Sequence, residues 1–339
     1  MGIKEIAKEA GVSKTTVSLA LNGHKGVSDK TRSTILEIAR KMNYRLPSER
    51  IITQTSKGFI MFARLNKHGL ILNRDQSSFI MDYIDSINEA VTEAGYTFEI
   101  LDHTFTTVSA LTNLLSARKP KGIIILGTEL DEEDVNSLQS LPFTFVVIDT
   151  QFETARCDFV DMANVNALTQ AITHLVEYGH REIGMISCTT LSGNISLREQ
   201  GFTLGLERAN LPVNKDYFLR IKPGFKEAYQ DMNAYLQTNP TLPQAFFCYN
   251  DVAALGVIKA LKEHKIRIPE DISIVGFDNL PMSSMSEPRL TTIKVPNRLI
   301  GTLATELLVD KLSTKRSKEP ITIQVKGTLV VRDSVMDRN

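Results

Sequence analysis

Nothing in the 339 residues approaches the roughly 18–20 consecutive apolar residues that a membrane span requires. The N-terminus lacks a basic-then-apolar leader and opens instead on an amphipathic segment, which favours the cytoplasm. Cysteine is scarce: Cys157, Cys188 and Cys248 are odd in number, widely spaced and outside any CxxC or Cys/His grouping. They read as reduced structural residues, with no zinc site. The six histidines are scattered, and no HExxH, P-loop, GxGxxG or GxSxG motif occurs, so no metal, cofactor or catalytic machinery is expected. Net charge is also missing, since 39 basic residues balance 39 acidic ones.

The charge is nevertheless unevenly spread. Residues 1–50 hold ten Lys and Arg against five Asp and Glu, so this segment carries +5 and the remainder −5. A small basic head on a mildly acidic body suits phosphate contact by the head alone, although a solvated basic face would look the same. Within that head, Ile3, Ile6, Ala7 and Ala10 mark one apolar helix face, and Gly11 follows as a helix-ending residue. Ser13 is a good N-cap, and Val17, Ala20 and Leu21 form a second apolar stripe. Two short helices around a glycine turn make a helix-turn-helix pattern, the second helix entering the DNA major groove by its N-terminal residues. Taken alone, an ordinary helical hairpin fits as well. Ser28 caps a third helix over 29–43, and Ile6, Val17, Leu21, Ile35 and Ile38 are expected to pack together.

The run GVSKTTVSLALN, followed by VSDKTR and MNYR, resembles the headpiece of the LacI/GalR family of bacterial transcriptional regulators. The resemblance implies that Lys14 and Thr15 read base edges. It implies that Thr16, Ser18, Asn22, Ser28 and Thr31 hold the DNA backbone. Lysine can donate to guanine and a threonine methyl can touch thymine. Leu19 departs from the family's usual polar residue and offers only apolar contact, so the operator is expected to differ there.

The linker, 47–57, is polar, and Pro47 stops the third helix. The family's Ala-Arg-x-Leu signature is absent. Ile51 and Ile52 serve either as minor-groove wedges or as part of a flexible tether.

Residues 58–335 alternate short apolar runs such as KGIIILG and FTFVVID with amphipathic stretches such as VSALTNLLSAR. This β-α repetition, in two series of similar size, predicts two doubly wound parallel-sheet α/β lobes. The segments YGHREIGMI, LREQGF, CYNDVAALG, IPEDISIVGFDN and EPRLTTIKVP extend the resemblance. They imply a body like the periplasmic sugar-binding proteins, crossed three times by the chain. The implied organisation is a head at 1–46, a linker at 47–57 and a body at 58–335. Its N-lobe would be 58–161 plus 291–320 and its C-lobe 162–290 plus 321–335.

Asp149, Asn250 and Asp278 each end an apolar run, which puts three polar side chains at the carboxyl edge of the sheets, where ligands bind. The resemblance adds Arg198 as a donor and Phe79 and Phe225 as walls. Asp251 is a candidate for capping or lobe orientation, and His180 for a local structural hydrogen bond. The stretch LNKHGLILNRDQSSFIMD is longer than its family counterpart, and His68, Asn73, Arg74 and Asp75 are candidates for the cleft mouth.

The leading expectation is a sequence-specific DNA-binding regulator, a repressor of a carbohydrate-utilisation operon. It would bind a near-palindromic operator as a homodimer and respond to a small-molecule effector, a sugar, in the cleft. No leucine-heptad tail follows the body, so no tetramer is expected. A solute-binding protein without DNA function would need an export signal, and an enzyme would need a catalytic motif.

Overall fold

The structure is a computed structural model and describes residues 3–21, 27–41, 56–67, 77–190, 192–313 and 319–339. The linker isoleucines Ile51 and Ile52, the DNA-binding candidate Asn22 and the cleft-mouth candidates His68, Asn73, Arg74 and Asp75 lie outside these residues. The chain divides into two compact units, Met1–Gly58 with Gly95–Thr97, and Phe59–Ala94 with Phe98–Asn339.

The first unit contains α1 (Ile3–Glu9), α2 (Lys14–Leu21) and α3 (Asp29–Lys41). Gly11 takes φ 63°. That left-handed residue lets the Val12 N–H turn back to the Ala7 carbonyl at 3.1 Å, closing α1 on its own last turn. Ser13 then opens α2 by accepting from the Thr16 N–H at 3.1 Å, and Ser28 opens α3 by accepting from Thr31 N–H at 3.2 Å. Ile6, Val17, Leu21 and Ile35 are buried together with Ala7, Ala20 and Ala39. Ile38, expected among them, is half-buried at the rim. Each fully buried aliphatic side chain contributes on the order of 1.5–3 kcal/mol, so this small core rests on a handful of residues.

The body is two lobes of the same design. The N-lobe holds β1 (Phe59–Asn66), α4 (Ser77–Glu93), β2 (Thr97–Thr104), α5 (Val108–Arg118), β3 (Gly122–Leu126), α6 (Glu132–Leu138), β4 (Phe145–Ile148) and β5 (Asp158–Met162). The C-lobe follows with α7 (Asn164–Glu177), β6 (Ile183–Cys188), α8 (Gly193–Arg208), β7 (Phe218–Ile221), α9 (Phe225–Gln237), β8 (Ala245–Cys248), α10 (Asp251–Glu263), β9 (Ser273–Asp278) and β10 (Thr291–Lys294). The chain then returns to the N-lobe for α11 (Asn297–Leu312) and β11 (Thr322–Val325), and ends in the C-lobe at β12 (Thr328–Val330).

Strand order is β2-β1-β3-β4-β5-β11 in one sheet and β7-β6-β8-β9-β10-β12 in the other. Strands β3, β5, β6 and β8 are buried at every residue, as parallel strands covered on both faces must be. The order reverses direction between β1 and β3 and again between β6 and β8, which opens a crevice at the carboxyl edge of each sheet.

Two expected lobe limits are corrected. Strand β10 pairs with β9, Thr291 opposite Val275, so residues 291–294 belong to the C-lobe. Strand β11 pairs with β5, Thr322 opposite Phe159, so residues 322–325 belong to the N-lobe. Residues 322–330 therefore hold two strands in different sheets. The crossings fall at Ala163, at 295–296 and at 326–327.

His180 is fully buried, with Nδ1 2.9 Å from the Leu175 carbonyl and Nε2 2.8 Å from Ser273 Oγ. Asp251 is buried and accepts from the Leu280 N–H at 2.8 Å and from Thr292 Oγ1 at 2.6 Å, so it orients the loop after β9.

Candidate functional site

The carboxyl edges of the two sheets face one another. From the N-lobe come Phe79 at the start of α4, Thr128 after β3, Asp149 after β4 and Asp161 near the end of β5. From the C-lobe come Asn194 and Arg198 in α8, Tyr249 and Asn250 after β8, and Asp278 at the end of β9. Phe79, Thr128, Arg198, Asn250 and Asp278 line a cavity of about 60 Å³, room for about two waters.

Arg198 is 8% exposed and fully engaged. Its guanidinium lies 3.6 Å over the Phe277 ring. Nη1 donates to the Tyr249 carbonyl at 2.6 Å, Nε donates to Asn164 Oδ1 at 3.0 Å, and Nη2 is 4.0 Å from Asp278 Oδ1. Asp278 sits at φ 104°, a region costly for a side-chain-bearing residue and often retained at binding sites. Burial pushes its carboxyl well above the usual carboxylate range, and Arg198 opposes that shift.

Asp149, at φ 60°, accepts from the Thr128 hydroxyl and from Tyr83 Oη at 3.3 Å. Burial raises its carboxyl too. Asp161 is fully buried, and burial together with the neighbouring Asp149 pushes it up to about 8. Across the lobe boundary, Asn194 Nδ2 donates to the Asp149 carbonyl at 2.9 Å and approaches Asp161 Oδ1 at 3.5 Å. The approach needs a glycine beside it: a Cβ on Gly193 would stand 2.4 Å from Thr150 Oγ1. Three buried acidic residues therefore lie within electrostatic reach of the Arg198 guanidinium.

Of the ligand candidates read from the sequence, Phe79, Arg198, Asn250 and Asp278 are brought to the cavity, with Asn250 Oδ1 also capping α10 through the Ala253 N–H at 2.8 Å. Asp149 lies immediately behind Thr128. Phe225 is a correction. As the first residue of α9, after Gly224 at φ 109°, it is 40% exposed and lines an outer groove with Val252, Leu255 and Met282. Pro223 and Gly224 take its place in the cleft wall. Sequence reasoning missed Thr128, Asp161, Asn164 and Asn194. Only Asp161, an acid one residue before the end of the run DFVDM, carried a signal of the kind that found Asp149.

A larger groove of about 850 Å³ runs beside the loop from β4 to β5. Acidic residues on its wall are already tied, Asp131 to Lys67 and Glu132 to Thr154. The convergence of buried polar groups from both lobes favours the smaller cavity as the site.

In the head, Lys14 and Ser28 are exposed, whereas Thr16, Ser18, Leu19 and Thr31 are half-buried. The Thr15 side chain lies outside the described residues. No acidic residue occupies the first turn of α2, so its positive dipole end and Lys14 both favour an anion. The hydroxyls of Thr16 and Thr31 are each 2.8 Å from the cap serine of their own helix.

Residues 2–47 match the family model "Bacterial regulatory proteins, lacI family", and residues 172–335 match "Periplasmic binding protein-like domain". The chain is 31% identical over 348 residues to the HTH-type transcriptional repressor PurR of Pasteurella multocida, covering 99% of both. It is 30% identical over 341 residues to PurR of Yersinia pestis bv. Antiqua, covering 99% of this chain and 97% of that one. Its fold is similar to that of the regulator CelR in complex with cellobiose (TM-score 0.73, 22% identity, 98% and 99% of the chains). It is similar as well to the lac repressor dimer bound to operator and an anti-inducer (TM-score 0.72, 22% identity, 99% of both). A LacI family regulator from Enterococcus faecium with bound ribose gives a TM-score of 0.68 at 22% identity, over 83% of this chain and 100% of that one.

Proposed function

Starting from a chain that belongs to the lacI family of bacterial regulatory proteins and is a DNA-binding transcriptional repressor, we propose that a neutral, hydroxyl-rich small molecule of the sugar class occupies the cleft and sets operator affinity. The buried acids carry this reading. Burial pushes Asp149, Asp161 and Asp278 toward their protonated forms, in which each carboxyl both donates and accepts, and the Arg198 guanidinium is already engaged, so a neutral ligand bearing hydroxyls is favoured over a charged one. The aromatic face of Phe79 supplies packing for an apolar ligand surface. Cellobiose and ribose in structures of similar fold support a ligand of this class. A sugar effector fits control of a carbohydrate-utilisation operon in the cytoplasm.

Lys14 and Thr15 would read base edges, Leu19 would add apolar contact, and Thr16, Ser18, Asn22, Ser28 and Thr31 would fix the phosphate backbone. A near-palindromic operator calls for two heads, hence a homodimer. Met285 at 81% exposure, with Met282 and Phe225, supplies an apolar C-lobe face for a second copy. A ligand that prefers one lobe angle would shift the spacing of the heads.

The test is a thermal-shift series on the full chain with ribose, glucose, cellobiose, glucose 6-phosphate and free nucleobases, followed by operator gel shift with whichever raises the melting temperature. Neutral sugars are expected to stabilise and the phosphorylated one to do nothing. Nucleobases also present ring N–H donors; stabilisation by them, with none by any sugar, would overturn the sugar class. Absence of sequence-specific binding upstream of the protein's own transcription unit would overturn the operator reading.

A further inference from the structure

Two asparagines that no motif singles out join the lobes. Asn164 is the first residue of α7, beside the first crossing, and Asn194 lies in the first turn of α8. Both are at least 95% buried. Their amide orientations follow from their partners. A guanidinium only donates, so Asn164 must turn its oxygen to Arg198 Nε, 3.0 Å away. Its nitrogen then donates to Asn194 Oδ1 at 3.1 Å and to the Met162 carbonyl at 3.1 Å, and reaches Asp161 Oδ2 at 3.4 Å. Asn194 must in turn aim its own nitrogen away, at the Asp149 carbonyl at 2.9 Å and the Asp149 and Asp161 carboxylates at 3.4 and 3.5 Å.

The result is a one-way relay, from guanidinium through two amides to two carboxylates. Arg198, Asn164 and Asn194 belong to the C-lobe, and Asp149 and Asp161 to the N-lobe. We propose that Asn164 and Asn194 are positioning residues, setting the guanidinium of Arg198 in the cleft and tying its placement to closure of the lobes. Opening removes the acceptors of Asn194. Asn194 can then rotate, Asn164 keeps only the local Met162 carbonyl for its nitrogen, and the acceptor it offers Arg198 is held less firmly. The inference rests on the cleft being the effector site, because only then does the setting of Arg198 matter to binding.

The readout is independent of any ligand. The ¹⁵Nε–H resonance of Arg198 in the full chain, assigned by its loss in Arg198→Lys, reports the Asn164 bond directly. In Asn164→Leu that bond is gone and the resonance should exchange with solvent at least about tenfold faster, the loss expected for one hydrogen bond to a charged group. Asn164→Asp keeps an acceptor for Nε and should restore slow exchange. Asn194→Leu leaves every direct contact of Arg198 in place, yet should also speed exchange and enlarge the radius of gyration in solution scattering. A purely structural role would lower the melting temperature of all three variants without this split. Unchanged Arg198 exchange in Asn194→Leu would overturn the relay, as would failure of Asn164→Asp to restore what Asn164→Leu loses. Should Asn164→Leu not fold, the Asn194→Leu arm decides alone. A failed sugar screen would leave this result standing, so the two readings fall separately.

Discussion

Replacing Asp161 by asparagine should stabilise the body, and by an amount that grows with pH. In the folded chain Asp161 keeps its proton up to about 8, chiefly because it is buried and secondarily because Asp149 is beside it. In the unfolded chain an aspartate releases its proton near 3.9, or about four units lower. The folded state therefore binds the extra proton between these values. The stability contributed is full below about pH 4, declines as pH rises, and is lost by about pH 8. At about 1.4 kcal/mol per unit, the decline reaches roughly 4 kcal/mol at pH 7. Asparagine replaces the protonated acid nearly atom for atom and does not titrate.

Unfolding entropy of about 2 cal/mol/K per residue over the body converts that difference to about 7 °C in Tm. Calorimetric melts of both proteins at pH 5, 6, 7 and 8 and fixed ionic strength would measure it. Asp251, which burial pushes up to about 7, tilts both curves alike and cancels in the difference. The reasoning fails if the two Tm curves run parallel across this range.

Two surface predictions need less. Leu19→Arg in α2 should change relative affinity among operator variants at one base pair by about 5- to 150-fold, the 1–3 kcal/mol of a bidentate contact. A gel-shift series with each operator base pair substituted in turn would measure this, and an unaltered preference profile would sink the role given to Leu19. Met285→Asp should move the sedimentation mass from two chains toward one at micromolar concentration. Because Met285 is 81% exposed, Tm at a concentration where both proteins are monomeric should hardly change. An intact dimer would exclude that face.

Much of this site was legible because parallel sheets align their ends. Asp149, Asn250 and Asp278 each close an apolar run, and in a doubly wound lobe every such run ends at the same edge. Nothing comparable marks Asn164 and Asn194. Their importance arises where the starts of two C-lobe helices meet beside the N-lobe, an encounter between residues 30 positions apart with no local pattern. Phe225 was misplaced for a related reason. A residue next to a cleft is still outside it when the helix it begins points its side chain the other way. The exchange of β10 and β11 has the same origin. TTIK and TIQV are each three β-branched residues with one long polar side chain, and only pairing with β9 or β5 decides their sheet.

The three crossings between the lobes also have a genetic consequence. Neither lobe is one stretch of gene: the N-lobe strands come from 59–162 and 322–325, and the C-lobe strands from 183–294 and 328–330. No single cut yields either half as an independent fragment, and swapping a ligand specificity between relatives requires exchanging at least two separated segments at once. A frameshift after residue 313 would strip an edge strand from both sheets, β11 from one and β12 from the other. Damage confined to the last tenth of the coding sequence would thus reach the sensor as a whole.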